Sequence, residues 1–427
     1  MYKYLLMFVL GSPLMGIWLV EGGSESLTTG IPGEENGATL AFALYAVVLS
    51  LVAWLTANVS IWPAAAQAQA PAPATPDPVM ARREFMQFSR RLLLINIVFL
   101  FAMLFGFGGI KVWLGTMEKG LFRASLGPLG ALPYMMTKFT IPALFAYLTV
   151  LLVQSRNDRG CKRMWWLNAF VVFVAASTWG FKTTGLFMML PGLLILNWKL
   201  SIGRLLAFAG VFLASLVALF FWFDSGMMAD AEVFTFLFGR LTVLQGDLSW
   251  YLWGLYKAGT ELPNYWPTLF AAAGDTVLGV FISKSNPVEW MSYHYDWMLT
   301  HLSGSSLEAI ANGHSVTGTP FAEGVIAGGR FGVGLFAVVG GLLAGGVYRI
   351  LSRAIHGGRA VTAALVSTYF CFHVFAWLNG GGITQLFHIS VIANIAVAYF
   401  LLKLMAGPRH RRAAEPFDLT NSGELAK

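Results

Sequence analysis

What constrains this chain most is a series of long apolar runs separated by polar connections. Runs of helical length lie at 4–20, 38–62, 92–114, 131–154, 164–180, 185–198, 205–223, 321–348, 360–378 and 385–404. A hydrocarbon core is crossed by about 20 apolar residues in a helix, whose backbone groups pair within the segment. Of the 427 residues, 57% are hydrophobic and only 11% charged, against ~25% charged in soluble domains. A water-soluble globule is thereby excluded. The expected fold is all-α: one polytopic membrane domain of about ten transmembrane helices. The first run follows a lone Lys3 and has no small-residue cleavage site before Glu21, so it reads as a retained helix.

The charges orient these runs. With the N-terminus inside, the inner connections hold 19 cations and six acids, and the outer ones nine cations and fifteen acids. The two sides carry +13 and −6, which together give the chain's net +7. This is the positive-inside pattern, and it explains a pI near 9.4 without nucleic acid. Both termini are expected in the cytoplasm. Residues 1–223 then hold helices one to seven, with an inner Pro/Ala linker at 63–80 too poor in apolar surface to fold. Residues 224–320 form a large outer loop, 321–404 the last three helices, and 405–427 an inner tail. A connection of roughly a hundred residues is too long to be a mere link, which puts the work of the protein on the outer face.

Several outer cations are not in plain solvent. Lys138 falls about two turns into the fourth run, and Arg330 two to three turns into the eighth. Lys182 sits in the tight turn Gly180-Phe-Lys-Thr-Thr-Gly185. A charge at such depth costs several kcal/mol unless it meets water or a partner. The functional reading is a cationic pocket suited to phosphate, whose oxygens match the guanidinium fork; the bland one is snorkelling to headgroups. Arg240 has Gln245 and Asp247 nearby to hold it. Glu323 lies seven residues before Arg330, hence on the same face of a continuous helix. There it reads either as a structural ion pair or, with His314 as the other candidate, as a base beside a guanidinium that holds a charged leaving group.

No metal site is expected, since neither zinc spacing nor an HExxH helix occurs. Without a Walker loop, a GxGxxG after a strand or a GxSxG elbow, no cofactor is implied either. Cys161 and Cys371 are the only cysteines and provide no disulfide framework. The outer loop is rich in aromatics, among them Trp250, Trp253, Tyr256, Trp266 and Trp290. They suit an interfacial belt or platforms for sugar faces.

Taken with the topology, three features resemble the Wzy-type polysaccharide repeat-unit polymerases and their O-antigen ligase relatives. They are the Gly-Phe-Lys182-Thr-Thr-Gly turn, the Arg240 stretch, and Thr317-Gly-Thr-Pro-Phe-Ala-Glu323-Gly followed by Gly329-Arg-Phe-Gly-Val-Gly334. The resemblance implies a GT-C-like, metal-independent glycosyltransferase that joins undecaprenyl-diphosphate-linked oligosaccharide repeats on the periplasmic face of a bacterial inner membrane. It implies donor and acceptor lipids, membrane lipid, a chain-length regulator and a flippase as partners. Lys182, Arg240 and Arg330 would bind substrate, with Gln245, Asp247 and His294 beside them. His314 is the favoured base and Glu323 its companion. Ligases of this type use a loop histidine, so His314 and His294 keep that alternative open. A secondary transporter is the rival class; no internal repeat of the kind such proteins show is found in the sequence.

The charge division is directly testable. Alkaline phosphatase fused within 224–320 should be active and the same enzyme fused at the C-terminus inactive; the opposite pattern would invert the topology.

Overall fold

The computed structural model describes residues 2–59, 78–117, 130–155, 158–177, 184–198, 242–262, 299–300, 302–305, 318–387 and 389–406, with a few single positions between them. Among the described residues the chain is helical, with no strand. The principal helices are α1 (Tyr2–Glu21), α2 (Ala38–Asn58), α3 (Pro78–Phe101), α4 (Ile141–Gln154), α5 (Arg159–Ser177), α6 (Thr184–Leu196), α7 (Val243–Lys257), α8 (Pro320–His356), α9 (Ala360–Tyr369) and α10 (Ile389–Met405). Helix α3 runs on through a π-helical turn, Ala102–Gly106. Another π-helical turn, Met136–Thr140, leads into α4, and a third, Phe370–Val374, continues α9 into Phe375–Gly380.

Seven stretches are long and apolar enough to cross a membrane: Tyr2–Glu21, Ala38–Asn58, Val79–Gly106, Leu132–Gln154, Pro320–His356, Ala360–Gly380 and Ile383–Met405. They make this a polytopic membrane protein. Of the other expected runs, 185–198 corresponds to the shorter α6 and 164–180 to α5, whose first turns carry Arg159, Lys162 and Arg163. The run 205–223 lies outside the described residues. Two spans also shift. The third begins at Val79 instead of residue 92, which brings Arg82 to Arg91 into its first turns. The eighth ends at His356 instead of residue 348, because the helix carries Arg349 and Arg353 on its way out of the apolar layer.

Helix α2 shows how the bundle meets lipid. Leu40, Leu44, Val47, Leu51 and Trp54 are each more than half exposed, whereas Phe42, Tyr45, Leu49 and Ala53 are buried. Both faces are apolar; water would not tolerate the outer one, and hydrocarbon does. At the centre stands α4, buried from Ile141 to Leu152. Its Thr149 hydroxyl accepts from the Trp165 indole at 2.8 Å, while Asn168 donates to the Ser89 hydroxyl at 2.9 Å and ties α5 to α3.

Close approach of backbones depends on glycine. Helices α2 and α8 run parallel, and a Cβ at Gly345 would stand 2.4 Å from the Ala53 carbonyl oxygen. Helices α1 and α7 meet at Gly16 and Gly246, where a Cβ on Gly246 would stand 2.2 Å from the Pro13 carbonyl oxygen. With lipid as apolar as the side chains, such packing supplies much of the association between helices. Most of the described cations gather at one end. Arg349 donates to the Val59 carbonyl at 3.0 Å, Arg91 to the Met405 carbonyl at 2.8 Å, and Arg82 stands 3.6 Å from Asp158.

These contacts separate two kinds of glycine. Gly246→Ala should destabilise the purified protein by at least the ~1–3 kcal/mol typical of overpacking. Gly11→Ala, whose Cβ meets nothing within 4 Å, should leave the melting temperature unchanged or slightly raised. Equal melting of the two variants would contradict the α1–α7 contact.

Candidate functional site

The distinctive site lies at the end of the bundle away from those cations, and it starts with a broken helix. Thr319 caps the first arm of α8, accepting from the Ala322 amide, and Pro320 occupies the first turn. Both residue types favour a helix start. Residues 320–327 are buried throughout. The helix then breaks at Gly328 and Gly329; Gly329 takes φ 57°, a conformation that side chains other than glycine's resist. The Tyr256 ring closes over it, so near that a Cβ would stand 2.4 Å from the ring.

Beyond the break the second arm returns alongside the first. A Cβ on Gly332 would stand 2.0 Å from the Gly324 carbonyl oxygen, whereas residues eight apart in a straight helix are separated by about 12 Å. Phe321 thereby enters a nest of Phe42, Tyr45 and Trp253, with ring centroids 5.3, 5.8 and 5.6 Å away. The Ser249 and Thr319 hydroxyls, 2.9 Å apart, join the arm to α7.

Glu323 is fully buried on this first arm. Its carboxylate accepts from the Trp377 indole at 2.9 Å, the Gly382 amide at 3.0 Å and the Ile383 amide at 2.8 Å. Gly381 and Gly382, with φ 72° and 76°, turn the chain so that the two amides face one point. An unpaired buried carboxylate costs several kcal/mol; charge-assisted donors of about 1.5–3 kcal/mol each offset that cost. The arrangement anchors the first arm of α8 to the connection between α9 and α10.

This corrects the expected helical relation of Glu323 to Arg330. The two residues stand on different arms, and Arg330 is exposed instead of two to three turns deep. The α2–α8 contacts, Gly340 beside Leu49 and Arg349 beside Val59, set Arg330 level with the start of α2. Beside it lies a lateral groove of about 480 Å³. Leu40, Leu44 and Val48 of α2 form one wall, and Val333, Gly334 and Ala337 of α8 the other. Lys257, Arg330 and Trp253 also line it, and among the described residues no acid does.

Of the other expected residues, Gln245 is half-buried in the first turn of α7. Asp247 is buried, accepting from the Ser26 hydroxyl at 3.2 Å, the Thr28 amide at 2.8 Å and the Leu248 amide at 2.7 Å. Burial pushes its carboxyl above the usual range, and the donors from Thr28, Leu248 and Ser26 counter that push in part. Lys182, Arg240, His294 and His314 lie outside the described residues. Lys138 sits half-buried in the π-helical turn before α4, its ammonium 5.7 Å from the Tyr134 ring centroid. Among the described residues, no three His, Cys, Asp or Glu side chains gather as metal ligands. Sequence reasoning did not bring Lys257 and Trp253 to the same groove as Arg330, nor Trp377 to Glu323. The runs Gly328-Gly329 and Gly380-Gly381-Gly382 were the available signals of backbone breaks.

No family model, curated relative or solved structure matches this chain.

The carboxylate anchor has a thermodynamic signature. Glu323→Gln should lower stability by about 2–3 kcal/mol, the value of a charged hydrogen-bonded group, because the amide turns an N–H toward a donor. Trp377→Phe in that background should cost less than alone, giving a coupling above about 0.5 kcal/mol in a double-mutant cycle. Strict additivity would mean that the carboxylate and the indole do not hold each other.

Proposed function

We propose that the protein is a membrane-embedded glycosyltransferase of the polysaccharide-polymerase type, acting on undecaprenyl-diphosphate-linked oligosaccharides at the outer face of a bacterial inner membrane. The observation that carries this reading is the pairing of Arg330 with Lys257 on one groove at the end of the bundle opposite the basic one. In this reading the architecture is GT-C-like with ten crossings, α5, α6 and residues 205–223 supplying three of them, and both termini are cytoplasmic.

The chemistry suits such a constellation. The acceptor sugar hydroxyl attacks the anomeric carbon of the donor glycan, and the bond from that carbon to the diphosphate oxygen breaks. The diphosphate leaves with the electron pair, and cations stabilise its charge. The hydroxyl proton passes to a base; His314 is the proposed acceptor because imidazole titrates near neutrality. Glu323 serves in the same reading as a positioning residue, holding the arm whose turn presents Arg330. Lys182, Arg240 and His294 remain proposed contacts to the diphosphate or the sugars. A chain-length regulator and a flippase are the proposed protein partners.

One observation favours a second reading. A broken, buried half-helix such as residues 320–327 is also a device of secondary transporters. The lipid-linked glycans of a deletion strain separate the readings. A polymerase leaves single lipid-linked repeats, a ligase leaves long chains unattached to their acceptor, and a transporter leaves the glycans unaltered. Restoring the strain with Arg330→Lys should yield markedly shorter chains at normal expression, since lysine keeps the charge and loses the fork. Wild-type chain length in that strain would remove Arg330 from diphosphate binding.

A further inference from the structure

The groove between α2 and α8, on which the proposed function also rests, has its own shape and polarity. Toward the basic end the helices close on each other, with Gly340, Gly341 and Gly345 against Leu49, Val52 and Ala53. Above that seam the walls part. Leu40, Leu44 and Val48 are 67%, 59% and 39% exposed, so the cleft opens sideways to hydrocarbon instead of upward to water. From Gly37 to Val48 it follows about 16 Å of helix.

Its head is built differently from its walls. Lys257 and Arg330 are exposed cations on two separate helices. Trp253, only 6% exposed, lines the same space. Its indole N–H has no hydrogen-bond partner among the described residues, although buried donors are ordinarily satisfied. An apolar trench headed by two cations fits one kind of molecule.

We propose that this groove seats a single-chain lipid phosphate. The chain lies along Leu40, Leu44 and Val48, and the phosphate meets Lys257 and Arg330. Arginine and lysine both bind phosphate, arginine through two parallel hydrogen bonds. A site at the outer end of the spans leaves the headgroup in water and the tail in the apolar layer, where each is stable. Two parallel helices that touch at their lower ends leave a tapering cleft, which suits one chain better than the paired tails of bulk phospholipid. The seat does not depend on glycan transfer: a flipped, sensed or transported lipid phosphate would occupy it equally.

Native mass spectrometry of the purified full-length chain tests this with decaprenyl diphosphate, decaprenol, phosphatidylglycerol and inorganic diphosphate as probes. Decaprenyl diphosphate should bind at least tenfold more tightly than each of the other three. The double variant Lys257→Gln/Arg330→Gln should lose tenfold or more, and Leu44→Trp, which fills the cleft, should lose a similar factor. Phosphatidylglycerol binding equally well would mean an ordinary lipid annulus, and inorganic diphosphate binding equally well would mean that no tail is seated; either overturns the proposal. Photo-crosslinking of the unmodified protein with a diazirine-bearing decaprenyl phosphate avoids any folding defect of the variants. Label should concentrate in residues 38–58 and 330–337, and label spread over other helices would overturn it. A deletion strain with unaltered glycans would defeat the polymerase reading and leave this test standing.

Discussion

The end of the bundle away from the basic cluster depends on one buried charge. Glu323 has no exposure, and its carboxylate is surrounded by the Trp377 indole and the amides of Gly382 and Ile383. These donors come from a connection more than fifty residues further along the chain. Without them the carboxylate would need water, and the Phe321 ring contacts and the Ser249–Thr319 hydroxyls alone would have to hold the arm at 320–327 inside. With them the arm is fixed, the chain must reverse at Gly328 and Gly329, and Arg330 emerges at the surface. The positions of Phe321, Tyr256 and Trp253 follow from the same reversal.

The rest of the bundle is held by contact instead of charge. Glycines at 16, 246, 341 and 345 let helix backbones meet, and the large apolar side chains of α2 turn outward to lipid. This division of labour creates the groove. Where glycine faces Leu49, Val52 and Ala53 the helices touch, and higher up, where the reversed arm takes the inner space, they leave a lateral opening. A lateral opening of this kind is where the proposed lipid-linked substrates would enter. At the basic opposite end, Arg91 and Arg349 tie helix ends together and Arg82 pairs with Asp158.

Much of this is legible in the sequence and some is not. Apolar runs show through because hydrocarbon imposes a length on any helix that crosses it, so α1, α2 and α9 fall close to their expected places. Span ends are less legible, since Arg82 and Arg353 look like loop residues although the helix carries them. Glu323 stands out for the right reason, an acid at the mouth of a span, but spacing assigns it the wrong neighbour. Arg330 follows from that spacing only if the helix is continuous, and the Gly-Gly pair that breaks it reads equally well as helix packing. Trp377, Gly382 and Ile383 carry no mark in one dimension that they meet an acid so far upstream. Asp247 looks like a support for Arg240, while its carboxylate is occupied by Ser26, Thr28 and Leu248.

The site rests on the reversal at Gly328–Gly329, and cross-linking tests it most directly. In a chain with Cys161→Ser and Cys371→Ser, the pair Tyr45→Cys and Phe321→Cys replaces two rings whose centroids stand 5.8 Å apart. A short bifunctional maleimide applied to membranes should join the pair in high yield and should fail when Val59→Cys replaces Tyr45→Cys. A straight helix would carry residue 321 beyond the outer end of α2. In that case Phe321→Cys would escape the cross-link and react freely with an impermeant thiol reagent from outside, and the reversal would be contradicted.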